Sequence, residues 1–248
     1  MTRLAQIEKE HSVEILYAIE SGSRAWGFES QDSDYDVRFI YRHSKNWYLN
    51  ILPKRDVIEY PIIDLYDYSG WDLRKSLFLM NKSNPVLFEW LASPIVYIKK
   101  EKEYSLLKDA SEKYFSPIST IYHYLHMAEG NNRQFLNGNE VKIKKYFYVL
   151  RPLFACMWID KFSESPPLHF ETLMEKLDLD HKLVDKVYEL LKRKKAGVEL
   201  GIEPKIHDIN LFIDEKLEHF RKFASSYNPS DKPSASYLDE IFIKLLST

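Results

Sequence analysis

The chain lacks the features that mark a secreted or membrane-spanning protein. It contains a single cysteine, Cys156, so it forms no internal disulfide, as expected for a reducing compartment. It has no apolar run of about eighteen residues, the length that a transmembrane helix requires. Residues 1–10 are charged and lack the apolar centre of a secretory signal. We therefore expect a cytoplasmic protein with no membrane partner.

The chain also has little net charge and few glycines. The chain has 35 Lys and Arg residues against 37 Asp and Glu residues, which gives a formal net charge of −2. Contact with nucleic acid would therefore need a local basic patch. Only seven glycines occur in 248 residues, whereas aromatic residues reach 15% and hydrophobic residues 45%. This composition indicates a globular, helix-rich chain whose core holds large rings.

The residues that suggest chemistry are concentrated between positions 13 and 41. An apolar run, Val13–Ile19, is typical of a buried strand, and it is followed by Ser21-Gly22-Ser23, where the backbone can turn tightly. Asp34 and Asp36 come eleven and thirteen residues after the second serine and open another apolar run. Alternation along a strand would place the two aspartates on one face. Paired carboxylates of this kind suit a hard cation such as Mg²⁺.

These aspartates have two other interpretations. Asp32, Asp34 and Asp36 have the spacing of the first three ligands of a calcium loop, but such a loop needs glycine next and glutamate at its twelfth position. This chain has Val37 and His43 there, so the calcium interpretation fails. The other alternative is that the aspartates only end a strand in solvent.

Three segments carry a resemblance to a known family. They are GSRAWG at 22–27, SDYDVR at 33–38 and GWDLRK at 70–75, and further similar segments lie at 82–85, 89–91, 93–97 and 144–152. A strand, a Gly-Ser turn and a following D-x-D pair resemble the DNA polymerase beta nucleotidyltransferase superfamily. More narrowly, the chain is similar to the RlaP-type predicted nucleotidyltransferases, which are associated with RNA repair.

The resemblance implies roles for the residues in these segments. The turn at Gly22, Ser23 and Arg24 would hold a nucleoside triphosphate (NTP) such as ATP. Asp34 and Asp36 would hold two Mg²⁺ ions, with Mn²⁺ as the alternative metal, and both would be catalytic.

A third carboxylate on a neighbouring strand completes the site in this superfamily. The candidates are Asp64 and Asp67, whose odd spacing would put them on opposite faces of a regular strand. Asp67 is favoured as the third catalytic metal ligand, because its distance from the segment at 70–75 follows the family pattern. Arg38 alternates with Asp34 and Asp36, so it is predicted either to pair with phosphates or to be a structural partner of the carboxylates.

A basic and aromatic group lies much later in the chain. Lys144, Lys145, Tyr148 and Arg151 fall on a predicted helix over 140–160, and they are predicted to grip the triphosphate or stack on its base. The alternative is a solvated basic face above an aromatic core. The basic run at 192–195 either contacts RNA or offsets the dipole at a helix end.

The order of predicted elements indicates an α+β fold. Strands are predicted at 13–19, 34–41, 56–65 and 95–98, with helices at 1–12, 71–81, 85–92, 101–113, 117–136, 140–160, 168–176, 180–195, 208–223 and 237–246. We predict a small mixed-sheet, polymerase-beta-like nucleotidyltransferase domain over residues 1–100, followed by a helical domain over 101–248.

Together these observations predict a magnesium-dependent nucleotidyltransferase. It would move a nucleoside monophosphate from an NTP to a hydroxyl acceptor, and the resemblance implies RNA as that acceptor, with a protein as the alternative. A competing hypothesis is a non-catalytic nucleotide- or protein-binding module, such as an antitoxin-like partner, on the same fold. A D-x-D glycosyltransferase is disfavoured. That fold has a longer βαβ array before its D-x-D pair, and only about thirty residues precede the aspartates in this sequence.

Overall fold

The computed structural model describes residues 2–197, 201–225 and 234–247. The strands are β1 (Glu14–Glu20), β2 (Tyr35–Arg42), β3 (Val57–Glu59), β4 (Tyr66–Asp72), β5 (Val96–Lys99), β6 (Glu140–Lys142) and β7 (Ile202–Pro204). The helices are α1 (Arg3–His11), α2 (Gly22–Ala25), α3 (Lys45–Tyr48), α4 (Leu73–Asn81), α5 (Pro85–Leu91), α6 (Glu101–Tyr114), α7 (Pro117–Phe135), α8 (Tyr146–Phe162), α9 (Phe170–Lys176), α10 (His181–Lys195), α11 (His207–Ser225) and α12 (Ala235–Leu245).

The contacts divide the described chain into two compact units. The first holds residues 2–25, 34–115 and 234–247, and the second holds residues 26–33, 116–197 and 201–225. Strands followed by helices, as the sequence predicts, give an α+β architecture with a mixed sheet. No helix in these ranges is both long enough and apolar enough to cross a membrane.

The first unit is built on a mixed sheet with strand order β3-β4-β2-β1-β5. Strands β2 and β4 run parallel, and the other neighbours run antiparallel. β1 is apolar enough to be buried on both faces. Helix α1 covers one face, where Ile7 packs near Phe39, while α4, α5, α6 and α12 cover the other.

Helices α6 and α12 belong to the sheet-containing unit, which differs from the domain boundary predicted near residue 100. Leu107 and Tyr114 of α6 share one buried cluster with Leu238 and Leu245 of α12 and with Ile40 of the sheet. Burial of apolar side chains, rather than chain order, therefore decides which helices cover this sheet.

The predicted strand over 56–65 is shorter in the structure. β3 ends at Glu59, before Pro61, which has no backbone N–H for the ladder. Asp64 and Leu65 then adopt positive φ angles of 48° and 67° in a two-residue turn. The chain returns as β4, whose residues 66–70 were not predicted as a strand.

The predicted helix at 71–81 begins two residues later than expected. Its N-cap is Asp72, whose carboxylate accepts a 2.8 Å hydrogen bond from the Arg74 N–H. Trp71 therefore stays in β4.

The second unit is mainly helical, and α7, α8 and α11 form its centre. The predicted helix over 140–160 starts later, because residues 140–142 form β6, which pairs with β7. This small sheet was not predicted. Pro152 lies inside α8 and leaves the Tyr148 carbonyl without its helical donor, and the Asn131 side chain donates to that carbonyl at 3.0 Å.

Candidate functional site

The Gly-Ser turn packs directly against the carboxylate of Asp36. Gly22 has a φ of +59°, and a Cβ atom built on it would lie 1.9 Å from Asp36 Oδ2. The neighbouring Ser21 N–H donates a 2.8 Å hydrogen bond to the Asp36 carbonyl. Only glycine permits this close approach and this backbone angle. Ser23 lies half-buried in the same turn.

Asp36 and Asp67 are direct neighbours on the parallel strands β2 and β4. The two residues are register partners, so their side chains emerge on the same face of the sheet. Both side chains retain about a quarter of their exposure, 25% for Asp36 and 26% for Asp67. The structure thus brings together two of the three carboxylates that the sequence predicts for this site.

Arg38 lies between these two carboxylates. Its Nη2 atom donates to Asp36 Oδ1 at 2.8 Å and to Asp67 Oδ2 at 2.7 Å, and Nη1 donates to the Asp67 carbonyl at 2.9 Å. Two roles were predicted for Arg38, and in the structure it is the hydrogen-bonded partner of the carboxylates.

The surroundings of Asp36 disfavour the charged form of its carboxyl group. Burial raises the pKa of its carboxyl above the usual value, and the nearby carboxylates of Asp67 and Asp34 raise it further. The Arg38 guanidinium is the strongest opposing influence on this pKa. A charged Asp36 therefore depends on a neighbouring positive charge.

Glu20 is a residue of this region that the sequence reasoning missed. It is 0% exposed, and its Oε1 accepts a 2.8 Å hydrogen bond from the Asp36 N–H, while the Tyr97 hydroxyl donates to Oε2. Burial raises the pKa of its carboxyl. The sequence signal that could have identified Glu20 is its position, a glutamate at the end of an apolar strand directly before the turn.

Asp34 is less tightly fixed than the sequence predicts. β2 begins at Tyr35, so strand alternation does not place Asp34 beside Asp36, and Asp34 is exposed. Its carbonyl accepts a 3.2 Å hydrogen bond from Arg24, whose guanidinium stacks 3.7 Å from the centre of the Tyr35 ring. Arg24 thus connects the turn to the start of β2.

Asp64 occupies a different environment from Asp67. It lies exposed in the tight turn between β3 and β4, where aspartate tolerates the left-handed conformation. The preference for Asp67 therefore agrees with the geometry, and Asp64 is a turn residue.

The donor set of this face has the chemistry that Mg²⁺ or Mn²⁺ requires. Asp36 and Asp67 offer hard carboxylate oxygens on adjacent strands, and Arg38 engages only one oxygen of each. Asp34 would have to approach from the turn before β2. Within the described residues, no group of three His, Cys, Asp or Glu side chains is already assembled as a metal site. The metal assignments remain predictions.

The predicted basic and aromatic residues lie in the second unit. Lys145 Nζ lies 4.3 Å from the centres of both the Phe135 and the Tyr148 rings, whereas the Lys144 side chain is exposed. Burial, helped by the charge of Lys144, lowers the pKa of Lys145. Tyr148 keeps 39% of its exposure.

Arg151 has a different environment from its neighbours on α8. It is only 2% exposed, and its guanidinium lies 4.3 Å from the centre of the Trp26 ring. Trp26 belongs to GSRAWG, one of the segments that carry the resemblance, but no role was predicted for it from the sequence. The predicted roles of Lys144, Lys145, Tyr148 and Arg151 in nucleotide binding remain predictions.

The basic run at 192–195 is mostly engaged within the protein. Arg193 pairs with Glu203, Lys195 pairs with Glu171 at 2.6 Å, and Lys194 donates to the Phe28 carbonyl at 2.7 Å. Burial lowers the pKa of Lys194 to about 8. The run therefore has an intramolecular explanation beyond the helix dipole.

The fold and this site define a nucleotidyltransferase-like protein of the polymerase beta type. The sequence model of RlaP, the RNA repair pathway DNA polymerase beta family, matches residues 1–244, and the chain belongs to this family. A relative from Bacillus subtilis (strain 168), the uncharacterized protein YcgL, is 48% identical over 240 residues, covering 97% of this chain and 92% of that protein.

A similar solved structure is a nucleotidyltransferase-like protein from Exiguobacterium sibiricum 255-15. It is 14% identical in sequence and has a TM-score of 0.34, with 97% of this chain and 78% of that chain covered.

Proposed function

We propose that this protein transfers a nucleoside monophosphate from an NTP to the terminal hydroxyl of an RNA, with release of pyrophosphate. The chain belongs to the RNA repair pathway DNA polymerase beta family, and this membership supports RNA as the acceptor. The single observation that carries the proposal is the contact between the Gly22 turn and Asp36, because it places a tight backbone turn directly against a carboxylate.

Each side chain has a distinct part in the proposed reaction. Ser23 and the turn backbone hold the triphosphate through hydrogen bonds to its oxygens. Asp36 and Asp67, with Asp34, would hold divalent metal, which when bound would supply charge neutralisation at the phosphates and activation of the acceptor hydroxyl. Glu20 positions the start of β2 through its hydrogen bond from the Asp36 N–H. Transfer of this kind depends mainly on positioning and charge.

A labelled-substrate experiment tests the proposal. The full chain is incubated with each α-labelled NTP, a short RNA with a free 3′-hydroxyl, and Mg²⁺ or Mn²⁺, and a protein acceptor is supplied in parallel. Label on the RNA together with free pyrophosphate is the expected result, and a chelator should abolish both. Binding of NTP without transfer to either acceptor, under all metal conditions, would favour the non-catalytic binding module.

The turn supplies the first mutational prediction. Ser23→Ala should weaken binding of the metal–NTP complex by about 1.5–3 kcal/mol, the contribution of a hydrogen bond to a charged group. Titration calorimetry with NTP and with the matching nucleoside measures the difference. Ser33→Ala, which changes a half-buried serine of the second unit, is the control. An equal loss of affinity for the nucleoside would contradict a phosphate contact.

Arg38 gives a prediction about stability. Arg38→Gln removes the cation between two carboxylates, so the metal-free variant should lose about 1.5–3 kcal/mol of unfolding free energy. Thermal unfolding should show a larger stabilisation by Mn²⁺ in the variant than in the wild type, because the added ion replaces the lost charge. Arg55→Gln, which breaks the exposed Arg55–Glu59 pair, should change stability by less than about 1 kcal/mol. If Mn²⁺ stabilised Arg38→Gln and the wild type equally, this would contradict the idea that the metal ion and the Arg38 guanidinium compete for the same position between the carboxylates.

A further inference from the structure

A cavity of about 560 Å³ opens beside the carboxylates within the first unit. The sheet contributes Asp67, Ser69 and Trp71 to its lining, helix α5 contributes Val86 and Trp90, and Ser21 of the Gly-Ser turn and Glu59 at the end of β3 also line it. Arg38 also lines it, so the cavity is continuous with the carboxylate pair. Its volume lies in the range of sites for small organic ligands.

Two stacked tryptophans form one wall of this cavity. The rings of Trp71 and Trp90 lie 3.9 Å apart, centre to centre, at an angle of 24°. Trp90 is buried in the core at 3% exposure, whereas Trp71 is half-buried. Trp71 is therefore held rigidly from one side. A rigid indole at a cavity wall favours stacking with a planar ring such as a nucleobase.

The charges of the lining disfavour phosphate. Asp67 and Glu59 contribute carboxylates, and the Arg38 guanidinium is already hydrogen-bonded to Asp36 and Asp67. A triphosphate here would meet like charge without an uncommitted arginine. An uncharged ring with a hydroxyl group is the better match.

The strand order shows in which direction the cavity extends from the carboxylates. The Gly-Ser turn follows β1, Asp36 lies on β2 and Asp67 lies on β4, and the cavity reaches from Ser21 of the turn, past Asp67, to Glu59 of β3. In phosphoryl transfer the attacking and leaving oxygens lie roughly in line on opposite sides of phosphorus. If the triphosphate is held at the turn after β1, pyrophosphate would leave on that side, and the attacking hydroxyl would approach from the opposite side, where Asp67 lies.

We propose that this cavity binds the terminal nucleoside of the acceptor RNA, with the base against Trp71 and the sugar hydroxyl directed toward Asp67. The inference rests on the proposed function and deepens it. The acceptor oxygen forms a bond to the α-phosphorus, the bond from that phosphorus to the bridging oxygen of pyrophosphate breaks, and the hydroxyl proton passes to solvent.

The test separates acceptor binding from NTP binding. The wild type and Trp71→Ala are titrated with a short oligoribonucleotide ending in a 3′-hydroxyl, and separately with NTP and Mg²⁺ in the absence of acceptor. Loss of base stacking should weaken oligoribonucleotide binding about tenfold, with NTP affinity within about twofold. Trp71→Phe should retain most of the affinity. An oligoribonucleotide ending in a 3′-phosphate should bind the wild type less tightly than the hydroxyl form.

Two further variants keep the proposal falsifiable. Ser69→Leu narrows the cavity without removing a core ring, and it should reproduce the Trp71→Ala result even if that variant fails to fold. Trp47→Ala removes another half-buried tryptophan, stacked 3.8 Å from His43 outside this cavity, and should leave oligoribonucleotide binding unchanged.

Each remaining outcome has a defined meaning. A selective loss of NTP affinity in Trp71→Ala and Ser69→Leu would overturn the inference and assign the cavity to the base of the NTP. Normal affinity for both ligands in both variants would also overturn it. Failure of the proposed function is distinguishable, because the wild type would then transfer no label to RNA in the experiment above.

Discussion

Replacing Asp67 by alanine should reduce nucleotidyl transfer by about two or more orders of magnitude while leaving NTP affinity within a few-fold. Asp36 and Asp34 remain in this variant to hold a metal–triphosphate complex. The lost carboxylate lies on the side from which we propose that the acceptor hydroxyl approaches. Its removal should therefore affect the chemical step more than nucleotide binding.

The matched control for this variant is Asp64→Ala. Asp64 is exposed in the turn that leads into β4, so its loss should change turnover only slightly. Single-turnover rates and calorimetric NTP affinities are measured for both variants. Loss of turnover in Asp64→Ala with normal turnover in Asp67→Ala would contradict the assignment of the third carboxylate. Normal turnover in both would remove the support for a two-metal mechanism.

Thermal unfolding separates a local effect in Asp67→Ala from a folding defect. Arg38 loses one of its two carboxylate partners in this variant but keeps its 2.8 Å contact with Asp36. The face then carries one negative charge fewer. We expect a moderate change in the melting temperature of Asp67→Ala. A large decrease in the melting temperature would instead indicate a folding defect.

The part of the site that could be predicted from sequence is the part formed by neighbours in the chain. Gly22 follows an apolar strand, and the return strand begins just before Asp36, so a hairpin-like pairing of β1 with β2 brings them together. Arg38 was ambiguous, because alternation gives its face but does not give its hydrogen-bond partners.

β4 was hidden for a physical reason. Its residues Ser69 and Gly70 have low strand propensity, and the segment lacks a clear apolar alternation. Gly70 is needed because a Cβ atom there would lie 2.1 Å from the Phe39 ring on β2. The requirement comes from cross-strand packing, which local periodicity does not contain. The pairing of Asp36 with Asp67 depends on this same register.

Long-range burial also explains the other differences. Residues 101–114 were predicted as a helix, but their place against the sheet depends on apolar partners more than a hundred positions later, such as Leu238. Arg151 was grouped with Tyr148 because the two share a face of the predicted helix, and this local spacing gives no sign of a partner as far away in the chain as Trp26. In the structure its guanidinium is buried against Trp26.

Asp36→Asn should reduce transfer below about one thousandth of the wild-type rate while the protein remains folded. The asparagine keeps the side-chain shape and an oxygen that can accept from Arg38, so the packing against Gly22 should persist. What it loses is the charge that a divalent cation requires. Because burial already disfavours the charged carboxylate, the neutral side chain should not destabilise the metal-free protein.

Two measurements on Asp36→Asn distinguish a metal ligand from a structural residue. Mn²⁺ should raise the melting temperature of the wild type more than that of the variant, and calorimetry should detect weaker Mn²⁺ binding. Asp32→Asn, an exposed neighbour in the preceding loop, is the control and should behave as the wild type does. Near-normal transfer by a folded Asp36→Asn variant would contradict the metal assignment. Lost transfer with unchanged Mn²⁺ binding would also contradict it and would limit Asp36 to organising the turn.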